Sequence, residues 1–186
     1  MVKHILGFEQ AGYYSIAASM ADVFSMFPVI MGTLLFPKMV SIADETRRWA
    51  VVKKAAIGVL MMMSLLSCCC FIGAEFLIVS LLGISFLPAV PAFLWLVPGL
   101  VLLSVNMIFM NYFASIGIPW IMIVSPGLAA ACNIILNLKM IPAMGIKGAS
   151  IASTLCYGAM LMMSLLYLGF KKQIIPSTSV LEADRF

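Results

Sequence analysis

Five unbroken apolar blocks leave this chain few folds to adopt. They run over 13–36, 54–73, 93–116, 119–138 and 148–170. A hydrocarbon core about 30 Å thick takes about 20 helical residues to cross. Peptide groups find no water there, so each block must satisfy its own backbone hydrogen bonds, and an α-helix does so. Transmembrane barrels instead alternate apolar and polar residues along each strand. Composition points the same way: charged residues are 10% of the chain, against about 25% in soluble domains. The expected fold is all-α, a polytopic helical membrane bundle of about five transmembrane helices plus a short interfacial helix, in a single transmembrane domain over 1–186. The short helix is expected at 76–87, which is apolar but spans only about 18 Å. Pro88 and Pro91 mark its end.

Charge orients the expected bundle. Lys38, Arg47, Arg48, Lys53 and Lys54 fall between the first two blocks, and Lys171, Lys172 and Arg185 follow the fifth. With five spans these segments share a side, which holds eight of the 11 basic residues. Lysine and arginine concentrate in cytoplasmic loops, so the C-terminus is expected in the cytoplasm and the N-terminus outside. An outside N-terminus with no signal segment suggests a preceding span, and so a fragment of a longer protein. Basic residues dispersed between apolar blocks do not make the clustered surface that nucleic acid requires. The expected partner is the lipid bilayer.

The chain offers no catalytic set: no HExxH, no GxxxxGK[ST], no GxSxG and no glycine-rich dinucleotide loop. Cys68, Cys69, Cys70, Cys132 and Cys156 lie inside apolar blocks without a CxxC pair, and His4 is the single histidine. A structural zinc site needs four donors at short spacings, so neither an enzyme nor a metal or cofactor is expected.

Polar residues inside the spans are the candidate site. Asp22 lies near the middle of the first span, where a charge is costly and marks a site or a paired contact; Ser15, Ala18, Ser19 and Ser25 share its face. Asn133 and Asn137 stand one turn apart on the fourth span. Asn111 shares a stripe of the third with Ser104 and Ser115, while Asn106 lies elsewhere on that helix. These side chains can meet an ion or sugar hydroxyls in a wet cavity, or bond across helices. Gly148, Ala149, Ala152, Ser153 and Cys156 make a small-residue packing face on the fifth span. Arg47, Arg48, Lys53 and Lys54 surround Trp49, as expected of a short helix on the inner leaflet that anchors to anionic lipid.

Three stretches resemble one family. Gly12-Tyr13-Tyr14-Ser15-Ile16-Ala17 with Leu34-Leu35-Phe36-Pro37-Lys38-Met39 is similar to the eighth span of bacterial oligosaccharide flippases. Pro98-Gly99 with Asn111-Tyr112-Phe113-Ala114-Ser115-Ile116-Gly117 resembles the tenth. Asn133-Ile134-Ile135-Leu136-Asn137, Ile141-Pro142 and Gly145-Ile146-Lys147-Gly148-Ala149-Ser150-Ile151-Ala152-Ser153-Thr154 resemble the eleventh and twelfth. The family is the polysaccharide-export branch of the multidrug/oligosaccharidyl-lipid/polysaccharide superfamily. The resemblance implies a partial C-terminal lobe of a two-lobe transporter in the bacterial inner membrane. Its cargo would be undecaprenyl-diphosphate-linked oligosaccharide for cell-surface polysaccharide, and its partner the absent N-terminal lobe or a second copy of the chain. A multidrug exporter of the same superfamily and a non-transporting assembly subunit are the alternatives.

Overall fold

A computed structural model of the chain describes the backbone of residues 1–117 and 119–174 and the side chains of 1–117 and 120–170. Six α-helices and one 3-10 turn account for nearly all of it. They are α1 (Val2–Leu6), α2 (Phe8–Ser41), α3 (Glu45–Leu82), the turn Ile84–Phe86, α4 (Ala89–Ser115), α5 (Pro119–Met144) and α6 (Ile146–Ile174). Helices α2 to α6 are each long and apolar enough to cross a membrane. The chain is therefore an all-α, multi-pass membrane bundle. Pro28, Pro98 and Pro126 all lie within continuous helices.

Two expected boundaries are corrected. Helices α2 and α3 have 34 and 38 residues, about 51 and 57 Å of helix, and overrun the hydrocarbon at their polar ends. The basic segment around Trp49 is no separate surface helix but the first turns of α3. Asp44 caps it, its carboxylate accepting from the Thr46 N–H at 2.9 Å. Arginine, glutamate and lysine are good helix formers, so the helix has no reason to stop where the apolar block does. Nor is 76–87 an independent helix. Residues through Leu82 continue α3, and only Ile84–Phe86 turns separately. The break falls at Gly83, whose φ of 94° is open to glycine and strained for other residues.

Helix α4 is the hub. Its apolar window is 56% buried inside the protein, against 17–28% for the other four spans. It packs against α2, α3 and α6, and α5 packs on the outside of α6. Helices α2, α4 and α6 run from one end of the bundle, which also holds α1, the Gly83–Pro88 turn and Gly145, to the other. There Trp49 at the start of α3 packs against Phe109 and Tyr112 of α4, and Tyr167 of α6 meets Phe113. This second end carries Arg47, Arg48, Lys53 and Lys54 and is called the basic end below.

Small residues set the helix spacing. A Cβ on Gly99 of α4 would come within 2.8 Å of the Thr154 Cα on α6. The Thr154 hydroxyl there donates across the crossing to the Trp95 carbonyl at 2.7 Å. Gly32 of α2 lies against the Asn111 amide of α4, and Gly148 of α6 against the Met140 carbonyl of α5. Ala149, Ala152 and Cys156, from the small face expected on the last span, are all buried.

These contacts predict opposite effects for two glycines. Gly99→Ala forces α4 away from α6 and should destabilise the bundle by about 1–3 kcal/mol, the usual cost of overpacking. Gly127→Ala, where a Cβ meets nothing within 4 Å, should be neutral or stabilise by up to about 1 kcal/mol through helix propensity. Unfolding of the two purified variants in detergent, followed by circular dichroism, measures both.

Candidate functional site

Two kinds of polar residue line the spans, and the packing separates them. On the α4 side each finds a partner. Asn106, 1% exposed, accepts at Oδ1 from the Ser164 hydroxyl of α6 at 2.6 Å. Ser104 donates to the Leu100 carbonyl of its own helix at 2.6 Å. Asn111, half-buried, donates from Nδ2 to the Met107 carbonyl at 2.9 Å and fills the space over Gly32. Asn111, Ser104 and Ser115 of the expected stripe thus each bond a carbonyl of their own helix, and Asn111 also packs over Gly32 of α2.

The second group lies on α2, α5 and α6, with α6 between the other two, toward the opposite end. Asn137 donates from Nδ2 to the Asn133 Oδ1 at 2.7 Å, and Asn133 Nδ2 reaches the Ser153 hydroxyl of α6 at 3.4 Å. The Ser153 hydroxyl donates to the Ala149 carbonyl of its own helix at 3.1 Å and lies close to the Tyr14 hydroxyl of α2. Cys156, one turn below on α6, lies beside Asn133 and Cys132. Tyr157 follows and is within electrostatic reach of Tyr14 and Asp22. The chain of groups thus runs Asn137, Asn133, Ser153, Tyr14, Tyr157, Asp22, across three helices.

Two features make this chain of groups more than packing. The Asn137 Oδ1 has no donor although its residue is only 9% exposed. A buried acceptor without a partner costs about 1–3 kcal/mol. Asp22 lies 14 residues into α2, about 21 Å along it, yet its side chain is exposed, together with Ser15 and Ser19. The buried stripe of α2 is Ala17, Ala21, Pro28, Gly32 and Met39, on another face. Among the described residues no helix covers the carboxylate.

The basic residues divide as well. Arg48 turns back on the preceding loop: its Nε donates to the Ile42 carbonyl at 3.1 Å, and its Nη2 donates to the same oxygen. Arg47 pairs with Asp44 at 3.6 Å, with both side chains largely exposed. Lys53 and Lys54 are exposed, and Lys53 Nζ stands 6.0 Å from the Trp49 ring centroid. The side chains of Lys171 and Lys172, and Arg185 with the rest of the tail, lie outside the described residues. Among the described residues no group of three or more histidine, cysteine or acidic side chains could hold a metal ion.

Sequence reasoning missed Tyr157 and the pairing of Asn106 with Ser164. Tyr157 stands one turn after Ser153, at polar-stripe spacing. Asn106 and Ser164 lie 17 and 18 residues into their helices, a match in depth that has meaning once α4 and α6 are known to run the same way. No family model matches the chain, and neither a curated protein nor a solved structure matches it.

The two groups should answer differently to substitution. Ser164→Ala strands the buried Asn106 oxygen and should destabilise the bundle by about 1–2 kcal/mol. Asp22→Asn removes an exposed charge and should leave the melting temperature of the detergent-solubilised chain within one degree or so, about the change expected of a surface substitution. Thermal melts of the two variants beside the parent chain check the contrast.

Proposed function

We propose that the chain is the C-terminal lobe of a two-lobe flippase that carries lipid-linked oligosaccharide across the bacterial inner membrane. The observation that supports this reading is the uncovered Asp22 on α2 at mid-depth, joined to a polar path that ends in a buried, unpartnered acceptor. A carboxylate facing lipid at that depth costs roughly 2.5–3.5 kcal/mol even on insertion scales. A water-filled cavity removes that cost. The same cavity gives sugar hydroxyls both a carboxylate and amides to bond, with the Asn137 oxygen as a ready acceptor.

In this reading α2, α5 and α6 present one wall of the cavity, and a partner lobe supplies the other. Alternating access follows when the lobes rock about a fixed site near the midplane. The α4 crossings at Gly32 and Gly99 keep this lobe rigid, so it moves as one body. The basic end faces the cytoplasm, as lysine and arginine counts favour.

Two measurements test the proposal. In the complete transporter, Asp22→Asn should insert normally and lower surface-polysaccharide export at least severalfold; undiminished export would leave Asp22 a packing residue and remove the main support. A reporter active only in the cytoplasm, fused after Phe186, should report, and one active only in the periplasm should stay silent. The reverse pattern would overturn the orientation.

A further inference from the structure

A second feature lies on the other flank of α4. Helices α3 and α6 both pack on α4 but barely touch each other, and the gap between them is a groove of about 330 Å³. Phe109 of α4 forms its floor, Ala56 of α3 one wall, and Leu165 and Gly169 of α6 the other. Trp49 and Lys53 line it at the basic end. A second hollow of about 320 Å³ continues along α6 and shares Leu165 and Gly169 with the first. Each is within the size range of small-molecule sites, roughly 300–1,000 Å³.

The lining changes character along its length. Past Ala55 no charged residue appears on α3 until Glu75, so the groove runs into the hydrocarbon. At its mouth sit a tryptophan, which favours the head-group level, and a cation. That cation has no carboxylate partner among the described residues: Arg47 is paired with Asp44 and the Glu45 carboxylate accepts from the Tyr112 hydroxyl, whereas Lys53 and Lys54 make no ion pair there, Lys53 standing over the Trp49 ring. An apolar slot closed at the membrane surface by an ammonium is complementary to an amphiphile with a long apolar chain and an anionic head.

We propose that this groove is a binding site for an anionic glycerophospholipid, with one acyl chain between α3 and α6 and the head-group phosphate at Lys53. The site is separate from the Asp22 path and stands whether or not the chain belongs to a flippase. The bound chain fills the gap that the helices leave over Phe109, and the phosphate neutralises Lys53 at the bilayer surface.

Gly169 makes a clean test possible. A Cβ there meets nothing within 4 Å, so Gly169→Leu fills the groove without disturbing the helix and raises helix propensity. The purified chain, delipidated in detergent, is mixed with equimolar phosphatidylglycerol and phosphatidylcholine, and bound lipid is counted by native mass spectrometry. The parent chain should retain phosphatidylglycerol in preference. Lys53→Gln should lower that retention about fivefold, the worth of one lysine beside an anionic lipid. Gly169→Leu should lower retention of both lipids while the circular-dichroism melt stays the same or rises. Equal retention of both lipids by the parent chain overturns the proposal. So does loss with Lys53→Gln but none with Gly169→Leu, because the phosphate would then be held at the surface and the groove would be empty. Displacement of phosphatidylglycerol by stoichiometric undecaprenyl diphosphate, with no return on excess phosphatidylglycerol, assigns the groove to a polyprenyl lipid and overturns the phospholipid assignment.

Discussion

Leucine packed on leucine is no better off in a bilayer than leucine packed on lipid, so α2 to α6 need another reason to stay together. In this chain close approach at three glycines is one reason, to a neighbouring backbone at Gly99 and Gly148 and to the Asn111 amide at Gly32. Gly99 lets α6 come near enough for Thr154 to reach a carbonyl of α4. Gly32 does the same for α2, and Gly148 fits α6 against the end of α5. Two of the three crossings involve α4, and that is why α4 is the span the protein buries most. Dispersion between atoms in contact then accumulates along each crossing, small per pair and large in sum.

The hub arrangement decides which polar groups are matched. Side chains at the α4–α6 contact find partners across it: Asn106 has Ser164, and Thr154 has the Trp95 carbonyl. Side chains between α2, α5 and α6 are only partly enclosed, since α2 touches α6 lightly. There the hydrogen bonds run from Asn137 through Asn133 to Ser153; Tyr14, Tyr157 and Asp22 follow within electrostatic reach, and one acceptor is left buried and one carboxylate in the open. Hydrocarbon tolerates neither. Among the described residues this face holds more polar groups than it pairs, which is the opposite of the α4 contacts.

The sequence showed the spans clearly because unbroken apolar length is a coarse signal, and all five appear where the blocks lie. It was misleading at their ends. Glu9, Gln10 and the charged residues from Glu45 to Lys54 interrupt hydropathy but not helical geometry, so α2 and α3 run past the blocks. The break within 76–87 depended on which glycine takes a positive φ, and Gly73 and Gly83 look alike until the backbone is built. Of the candidate site residues, spacing alone placed Asn133 beside Asn137 correctly, since one helical turn fixes that neighbour. It could not tell Asn111 from Asn133, because whether an amide faces a packing glycine or a polar cleft depends on the rotation of the helix against its neighbours. Arg48 was legible as a basic residue and not as a clamp on Ile42, which requires the chain reversal between α2 and α3 to exist first.

That reversal gives the four basic residues different roles at different times. Orientation by positive charge acts while the chain inserts, before α3 has folded back on α2, and at that stage Arg47, Arg48, Lys53 and Lys54 count alike. Once the helices have formed, Arg48 is engaged with the Ile42 carbonyl and Arg47 with Asp44. The Ile42 carbonyl follows the C-terminal end of α2, where the helix dipole favours a cation, so Arg48 holds the loop closed at the point where two long helices part. Of these four, Lys53 and Lys54 make no ion pair among the described residues. Neutralising the whole segment would disturb insertion, loop closure and lipid contact together. Arg48→Gln and Lys53→Gln separate them: the first loosens the α2–α3 link, and the second leaves it intact while removing the cation beside Trp49.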